Sequence, residues 1–301
     1  MTGPSGDGAA VSLRPAARYG AQGMTAPLRE VVLRRPGPAF GRAHEDSAHG
    51  FRYPVDLARA QREHAALAEL LTRLGARVTV LDEDGLGPDA IYVFDPLLVT
   101  DRGSIALRSG KATRRGEEAA LEGWMLGAGI PTIGRIEAPG TVDGGDTFWL
   151  RPDLLCIGRS LRTNRACAAQ LGGLVGGRVE TFDMACWRGP SEVLHLLSVI
   201  SPVSDELAVV FRPLLPAGLA ELLDELGMRT LAVDEQEFET LGCNVLAVAP
   251  GVVILADGNP RTARQLAGAG CEVHTFAATE IGLNGSGGPT CLTRPTLRTG
   301  A

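Results

Sequence analysis

A strand–strand–helix–strand pattern returns roughly every 50 residues along this chain, and 301 residues hold about five such units. The second unit reads as strands at 97–100 and 104–107, a helix at 117–127 and a strand at 132–136. The third runs 147–150, 154–157, 164–171 and 178–182; the fourth, 194–200, 206–211, 217–226 and 229–233; the fifth, 244–248, 252–255, 260–267 and 272–275. The first is less regular: a strand at 30–33, a helix at 56–74 ending at Gly75, a strand at 77–81, and apolar residues 90–94 as a further strand. Apolar residues at i, i+3, i+4 and i+7 mark the helices, and short apolar runs bounded by turn residues mark the strands. Such a repeat predicts an α/β fold built as a radial or stacked array of small modules. No G-x-G-x-x-G follows the first strand, which argues against a dinucleotide-binding fold.

Residues 1–26 are rich in Gly, Ala, Pro and Ser and lack periodicity, so they read as a disordered tail before one domain over 27–301. A net charge of −6 with no long basic run argues against a nucleic-acid partner. The absence of a long apolar run predicts no membrane span, and the start of the chain does not read as a signal peptide. Six cysteines are scattered without C-x-x-C spacing, which excludes a zinc-finger pattern and suits free thiols in a reducing cytoplasm.

Candidate chemistry gathers at a few places. The stretch 281–294, Ile-Gly-Leu-Asn-Gly-Ser-Gly-Gly-Pro-Thr-Cys-Leu-Thr-Arg, sets Cys291 among four glycines. Cys291 reads either as an exposed nucleophile or as a small buried hydrophobe in a last strand, 290–293, that follows a glycine-rich turn. Asp95 ends one apolar run and Asp89 lies six positions earlier; each reads as a cavity carboxylate or a turn cap. Asp143 and Asp146 flank Gly-Gly, where the alternative is plain turn chemistry. Arg162 and Arg165 lie where a loop enters a helix. Of five histidines, His195 stands in Val-Leu-His-Leu-Leu, the context of a core residue as much as of a base.

Taken in order, Phe94-Asp-Pro, Leu107-Arg with Thr113-Arg-Arg-Gly-Glu-Glu118, Asp143-Gly-Gly-Asp146, Gly158-Arg-Ser-Leu-Arg-Thr-Asn164, Leu194-His-Leu-Leu-Ser198, Gly242-Cys-Asn-Val-Leu246 and Gly288-Pro-Thr-Cys291 resemble the guanidine-modifying (amidinotransferase, or pentein) superfamily. The similarity is greatest to the dimethylarginine dimethylaminohydrolases and spans about residues 28–296. It implies a five-module α/β propeller with pseudo-fivefold symmetry, in agreement with the unit count. It further implies Cys291 as nucleophile, His195 as general acid/base and Asp143 as the acid that holds the guanidinium. Asp89 and Asp95 match acidic positions of the substrate pocket; Arg108 and Arg162 match positions that hold an α-carboxylate.

The implied activity is hydrolysis of a substituted guanidine, such as an Nω-methylated arginine, to a citrulline-type ureido product and an amine through a covalent thiouronium. The partner is a small guanidino substrate, and neither metal nor organic cofactor is implied. Paired module edges allow a homodimer. The alternatives are an amidinotransferase or an arginine deiminase or dihydrolase of the same fold, or a non-catalytic binder of arginine-like ligands. His-Leu-Leu at 195–197 lacks the His-x-Asp typical of the deiminases, transferases and dihydrolases, which favours the dimethylargininase-like branch. Close relatives carry a second carboxylate where this chain has Phe94, which implies a differently shaped substrate pocket with Phe94 at its wall.

Overall fold

The computed structural model describes residues 18–82, 85–189 and 193–299. Among the described residues, 15 strands form five three-stranded sheets arranged as five α/β modules, the propeller of the pentein fold. In the first module, β1 (Leu28–Arg34) is joined through helix α1 (Leu57–Arg73) to β2 (Arg77–Leu81), which runs parallel to it. The second holds β3 (Leu97–Thr100), β4 (Gly103–Ala106), α2 (Glu117–Gly127) and β5 (Thr132–Arg135). The third holds β6 (Thr147–Arg151), β7 (Leu154–Arg159), α3 (Arg165–Val175) and β8 (Arg178–Asp183). The fourth consists of β9 (Ile200–Ser204), β10 (Leu207–Val210), α4 (Ala217–Glu225) and β11 (Arg229–Ala232). The fifth consists of β12 (Leu246–Ala249), β13 (Val252–Ala256), α5 (Pro260–Gly268) and β14 (Glu272–Phe276). The last strand, β15 (Arg294–Arg298), returns to pair antiparallel with β1, so the two ends of the repeat close on one sheet.

Each later module is an antiparallel hairpin followed by a helical crossover to a parallel third strand. The sequence shows why. Hairpin strands such as Leu-Leu-Val-Thr in β3 and Leu-Ala-Val-Val in β10 are buried on both faces and read as unbroken apolar runs. The third strands, such as Arg-Val-Glu-Thr-Phe-Asp in β8, are largely part-exposed and carry charge at the rim. In α1 the buried positions Ala60, Glu63, His64, Leu67, Leu70 and Leu71 lie on one face at helical spacing, and Asp56 accepts from Arg59 N to cap its start.

Three expectations change. Residues 90–94 are not a strand: a 3₁₀ turn, Pro88–Ile91, leads into a loop that turns Asp89 and Asp95 inward, both less than a tenth exposed. Residues 194–200 are not a strand up to Ile200 either. His195 precedes a single helical turn, Leu196–Val199, and donates its backbone N–H to Ser198 Oγ at 3.1 Å. The tail expected over 1–26 falls on residues 1–17 outside the described ones and on 18–26, which pack. Gly20 bridges Leu297, and its carbonyl accepts from Arg298 N at 2.7 Å. Backbone pairing, which composition does not register, orders this segment. Among the described residues no helix is long and apolar enough to cross a membrane.

Candidate active site

Five carboxyl or thiol positions singled out in the sequence come together where the loops of the first, second, third and fifth modules meet. Asp143 sits just before a turn, Gly144–Asp146, and is fully buried. Its Oδ1 accepts Ser109 Oγ at 2.6 Å and Gly110 N at 3.2 Å; its Oδ2 meets Arg162 Nη1 at 3.2 Å and His195 Nε2 at 3.4 Å. Burial alone would raise this carboxyl, but the contacts to His195 and Ser109 and the charge of Arg114 outweigh it and hold the group well below the usual carboxylate range. The His195 contact is an ion-pair approach rather than a well-aligned hydrogen bond.

Asp146, at the other end of the Gly-Gly turn, is also fully buried. It accepts Leu196 N at 2.9 Å, Thr163 Oγ1 at 2.6 Å and Ser160 Oγ at 2.5 Å. Burial pushes it up to about 6 despite these partners. It anchors the backbone that presents His195. Burial disfavours the charged ring of His195, but Asp146, Asp143 and Asp95 together lift it to about 9. Gly145 lies against that ring: a Cβ there would come within 2.8 Å of His195 Nδ1 and 3.1 Å of Asp95 Oδ1. The second glycine of the pair is therefore a space requirement, beyond good turn chemistry.

Asp95 accepts Gly145 N on Oδ1 at 2.7 Å and pairs through Oδ2 with Arg114. Arg114 is buried and also donates to Glu117 and to the carbonyls of Asp89 and Tyr92. Asp89 accepts Lys111 Nζ at 2.8 Å and His49 Nδ1 at 3.2 Å on one oxygen. Burial opposes its charge, while Arg114 and Lys111 more than offset this and lower it.

Cys291 is half-buried in the turn before β15, and its carbonyl accepts Phe94 N at 3.1 Å, which ties the thiol loop to the Asp95 loop. Burial, with the charge of Asp95, pushes the thiol up to about 12. The buried Asn244 donates Nδ2 toward Sγ at 3.6 Å, and its Oδ1 accepts Thr290 N at 3.1 Å. A Cβ at Gly288 would collide with Asn244, and Cβ atoms at Gly285 or Gly287 would collide with Tyr92. The glycines before Cys291 thus let two neighbouring side chains reach the loop. From behind, Glu63 of α1 accepts Glu280 N and Ile281 N, and buried Asn284 bonds Arg52 and Tyr53 N.

Of the other expected residues, Arg108 donates Nη1 to Gly140 O at 3.0 Å, while the arginines that meet the acidic cluster are Arg162, at Asp143, and Arg114, at Asp95. Phe94 reaches the site through its backbone, while its buried ring lies 3.7 Å beneath the Arg294 guanidinium. Sequence reasoning passed over Arg114 and Asn244 as individual residues, although both stood inside motifs already singled out.

The propeller is the fold of the guanidine-modifying penteins. The sequence model of the arginine deiminase family matches residues 219–298. A dimethylarginine dimethylaminohydrolase from Pseudomonas aeruginosa is 31% identical over 247 residues, covering 79% of this chain and 88% of that protein. One from Streptomyces coelicolor is 29% identical over 249 residues, covering 82% and 89%. The structure of the Pseudomonas enzyme as a cysteine-to-serine mutant with citrulline superposes with a TM-score of 0.74 at 25% identity, covering 91% of this chain and all of that one. The chain belongs to the dimethylarginine dimethylaminohydrolase family.

Proposed function

We propose that this protein is a cysteine-dependent hydrolase of Nω-methylated arginine or a closely related guanidine, releasing citrulline or its analogue and an amine. The propeller from residue 27 onward acts as one catalytic domain. The observation that carries the reading is the pairing of fully buried Asp143 with His195 Nε2 at 3.4 Å, in a cluster that also holds Asp95 and the Cys291 loop. Family relatives named for dimethylarginine hydrolysis, one solved with citrulline, support the substrate class.

The chemistry follows from charge. A guanidinium is a planar cation whose N–H fork suits carboxylates, and Asp143, Asp95 and Asp89 line an interior that favours it. In the free protein burial and the charge of Asp95 hold Cys291 as a thiol. A bound guanidinium adds the compensating charge that lets the thiolate form. Sγ then attacks the central carbon, and the C–N bond to the methylated nitrogen breaks as that nitrogen takes a proton from His195. The result is an S-alkylthiouronium and a free amine. His195, now neutral, takes a proton from water; the hydroxide adds to the same carbon, and the C–S bond breaks to return Cys291 and leave the ureido product. Arg162, in contact with Asp143 in this structure, serves as the ligand for the α-carboxylate once a substrate guanidinium claims that oxygen.

The test is intact-protein mass spectrometry during turnover of Nω-methylated arginines, arginine and agmatine, beside a colour assay for ureido product. A Cys291-dependent adduct and ureido product from a methylated arginine are expected. Product from arginine alone, or ornithine with ammonia, would move the protein to a deiminase or dihydrolase.

A further inference from the structure

Between elements of the first, second, third and fifth modules lies a small cavity whose lining includes none of the clustered carboxylates and comprises, among others, Ala21, Met24, Phe94, Trp149, Arg294 and Arg298. Its clear interior admits a guest of about one water's size. Three of its lining side chains hold an N–H that no group among the described residues accepts: Trp149 Nε1, Arg294 Nε and Arg298 Nε. All three residues are more than nine-tenths buried. The remaining hydrogen bonds of the two guanidinium groups go to neutral carbonyls, and the Phe94 ring faces the Arg294 guanidinium at 3.7 Å. Arg294 bonds Phe94 O, and Arg298 donates Nη1 to Ala26 O at 2.6 Å and Nη2 to Ala247 O at 2.8 Å.

The charge is as incomplete as the hydrogen bonding. Asp95 is the carboxylate whose field reaches Arg294, and it is already paired with Arg114 and Gly145 N. At Arg298 burial acts with no charged group against it, and Arg298 in turn disfavours the charge of Arg294. Burial pushes both guanidines down to about 9, which still leaves two neighbouring buried cations near neutral pH. Buried charges in folded proteins are paired. A water in the cavity would satisfy hydrogen bonds and leave the charge in place; an anion of similar size would do both.

We propose that this cavity is a binding site for one small monovalent anion, chloride or a similar halide, held by Arg294, Arg298 and Trp149. Residues 18–26 close it, since Ala21 and Met24 line it and the Ala26 carbonyl holds Arg298. The site is independent of the proposed hydrolysis, because none of these three residues belongs to the catalytic cluster.

The experiment is thermal unfolding of the full chain in sodium chloride and in sodium gluconate at equal ionic strength, with bromide-soaked crystals of the same protein examined by anomalous scattering. Gluconate is too large for the cavity. A saturable rise in Tm with chloride beyond that with gluconate is expected, with a bromide peak between the two guanidinium groups. Trp149→Phe keeps the ring and removes one donor, so its half-saturating chloride concentration rises roughly tenfold or more. Arg298→Met abolishes the chloride-specific rise; should that variant fail to fold, the Trp149→Phe titration decides. Equal stabilisation by chloride and gluconate, a Trp149→Phe curve that superposes on the parent, or a bromide map without a peak in the cavity would each overturn the proposal.

Discussion

His195 Nε2 lies 3.4 Å from Oδ2 of Asp143, a carboxylate with no exposed surface. With Asp146 and Asp95 it lifts the imidazole to about 9, so the ring is charged at neutral pH, the form the proposed hydrolysis requires for protonating the departing amine. Replacement by Asp143→Asn removes one of the groups that sustain that charge. The His195 value falls toward the ordinary imidazole figure of about 6.5, and kcat falls by roughly a hundredfold or more. A pH profile of kcat checks this: its alkaline limb moves down in the variant. An unmoved limb would show that His195 is not the acid.

The same pair makes a stability prediction. His195 is raised on folding, so its contribution is complete below about pH 6.5 and is lost as pH rises through about 9. Asp143 is lowered, so its contribution holds above about pH 4 and fades as pH falls toward its depressed value. Unfolding of the parent and of His195→Gln from pH 6 to 10 checks the first of these. The gap between them narrows on the alkaline side.

Asn244 bridges the Cys291 loop, with one amide end toward Sγ and the other on Thr290 N, and in the proposed hydrolysis it would position the thiol. Asn244→Ala leaves that buried N–H without its acceptor and costs about 1–3 kcal/mol of stability. It also lowers kcat, and it shifts the pH dependence of Cys291 alkylation upward because a donor to the thiolate is gone. A stability loss with unchanged alkylation would confine Asn244 to a structural role.

Gly145 is the close-packed point between His195 and Asp95. Gly145→Ala forces the ring or the carboxylate aside, since a Cβ would lie 2.8 Å from Nδ1. The expected result is a large drop in kcat together with a loss of about 1–3 kcal/mol of stability, read by steady-state kinetics and thermal unfolding.

Arg114 holds Asp95 and Glu117 in the interior. Arg114→Met strands both carboxylates and destabilises the protein by about 3–5 kcal/mol. Denaturant unfolding measures it. A double variant, Arg114→Met with Glu117→Gln, recovers part of the loss if the pair is the cause.

Most of the module pattern was legible in the chain, because doubly buried hairpin strands are continuous apolar runs and crossover helices carry a period that alternation cannot mimic. The misreadings lie where polar partners override apolar content. Leu194 to Ile200 is apolar enough for a strand, yet the bond from Leu196 N to buried Asp146 and the bond from His195 N to Ser198 turn it into a helical start. Ala90 to Phe94 likewise loses strand geometry to a 3₁₀ turn whose carbonyls receive Arg114.

At the site, the ordered motifs singled out Cys291, His195, Asp143, Asp95 and Asp89 as candidates, since the chemistry of binding a guanidinium restricts residue types that local sequence displays. Which arginines meet those carboxylates, Arg114 at Asp95 and Arg162 at Asp143, is decided by the approach of separate loops. So are the place of Phe94 beneath Arg294, the reach of Asn244 to the thiol, and the two arginines facing the small cavity. Repeat, class and candidate nucleophile are properties of short segments and could be read from them. Partner choice and charge balance depend on contacts across as many as 272 residues of chain, and exist only once the fifth module has closed on the first.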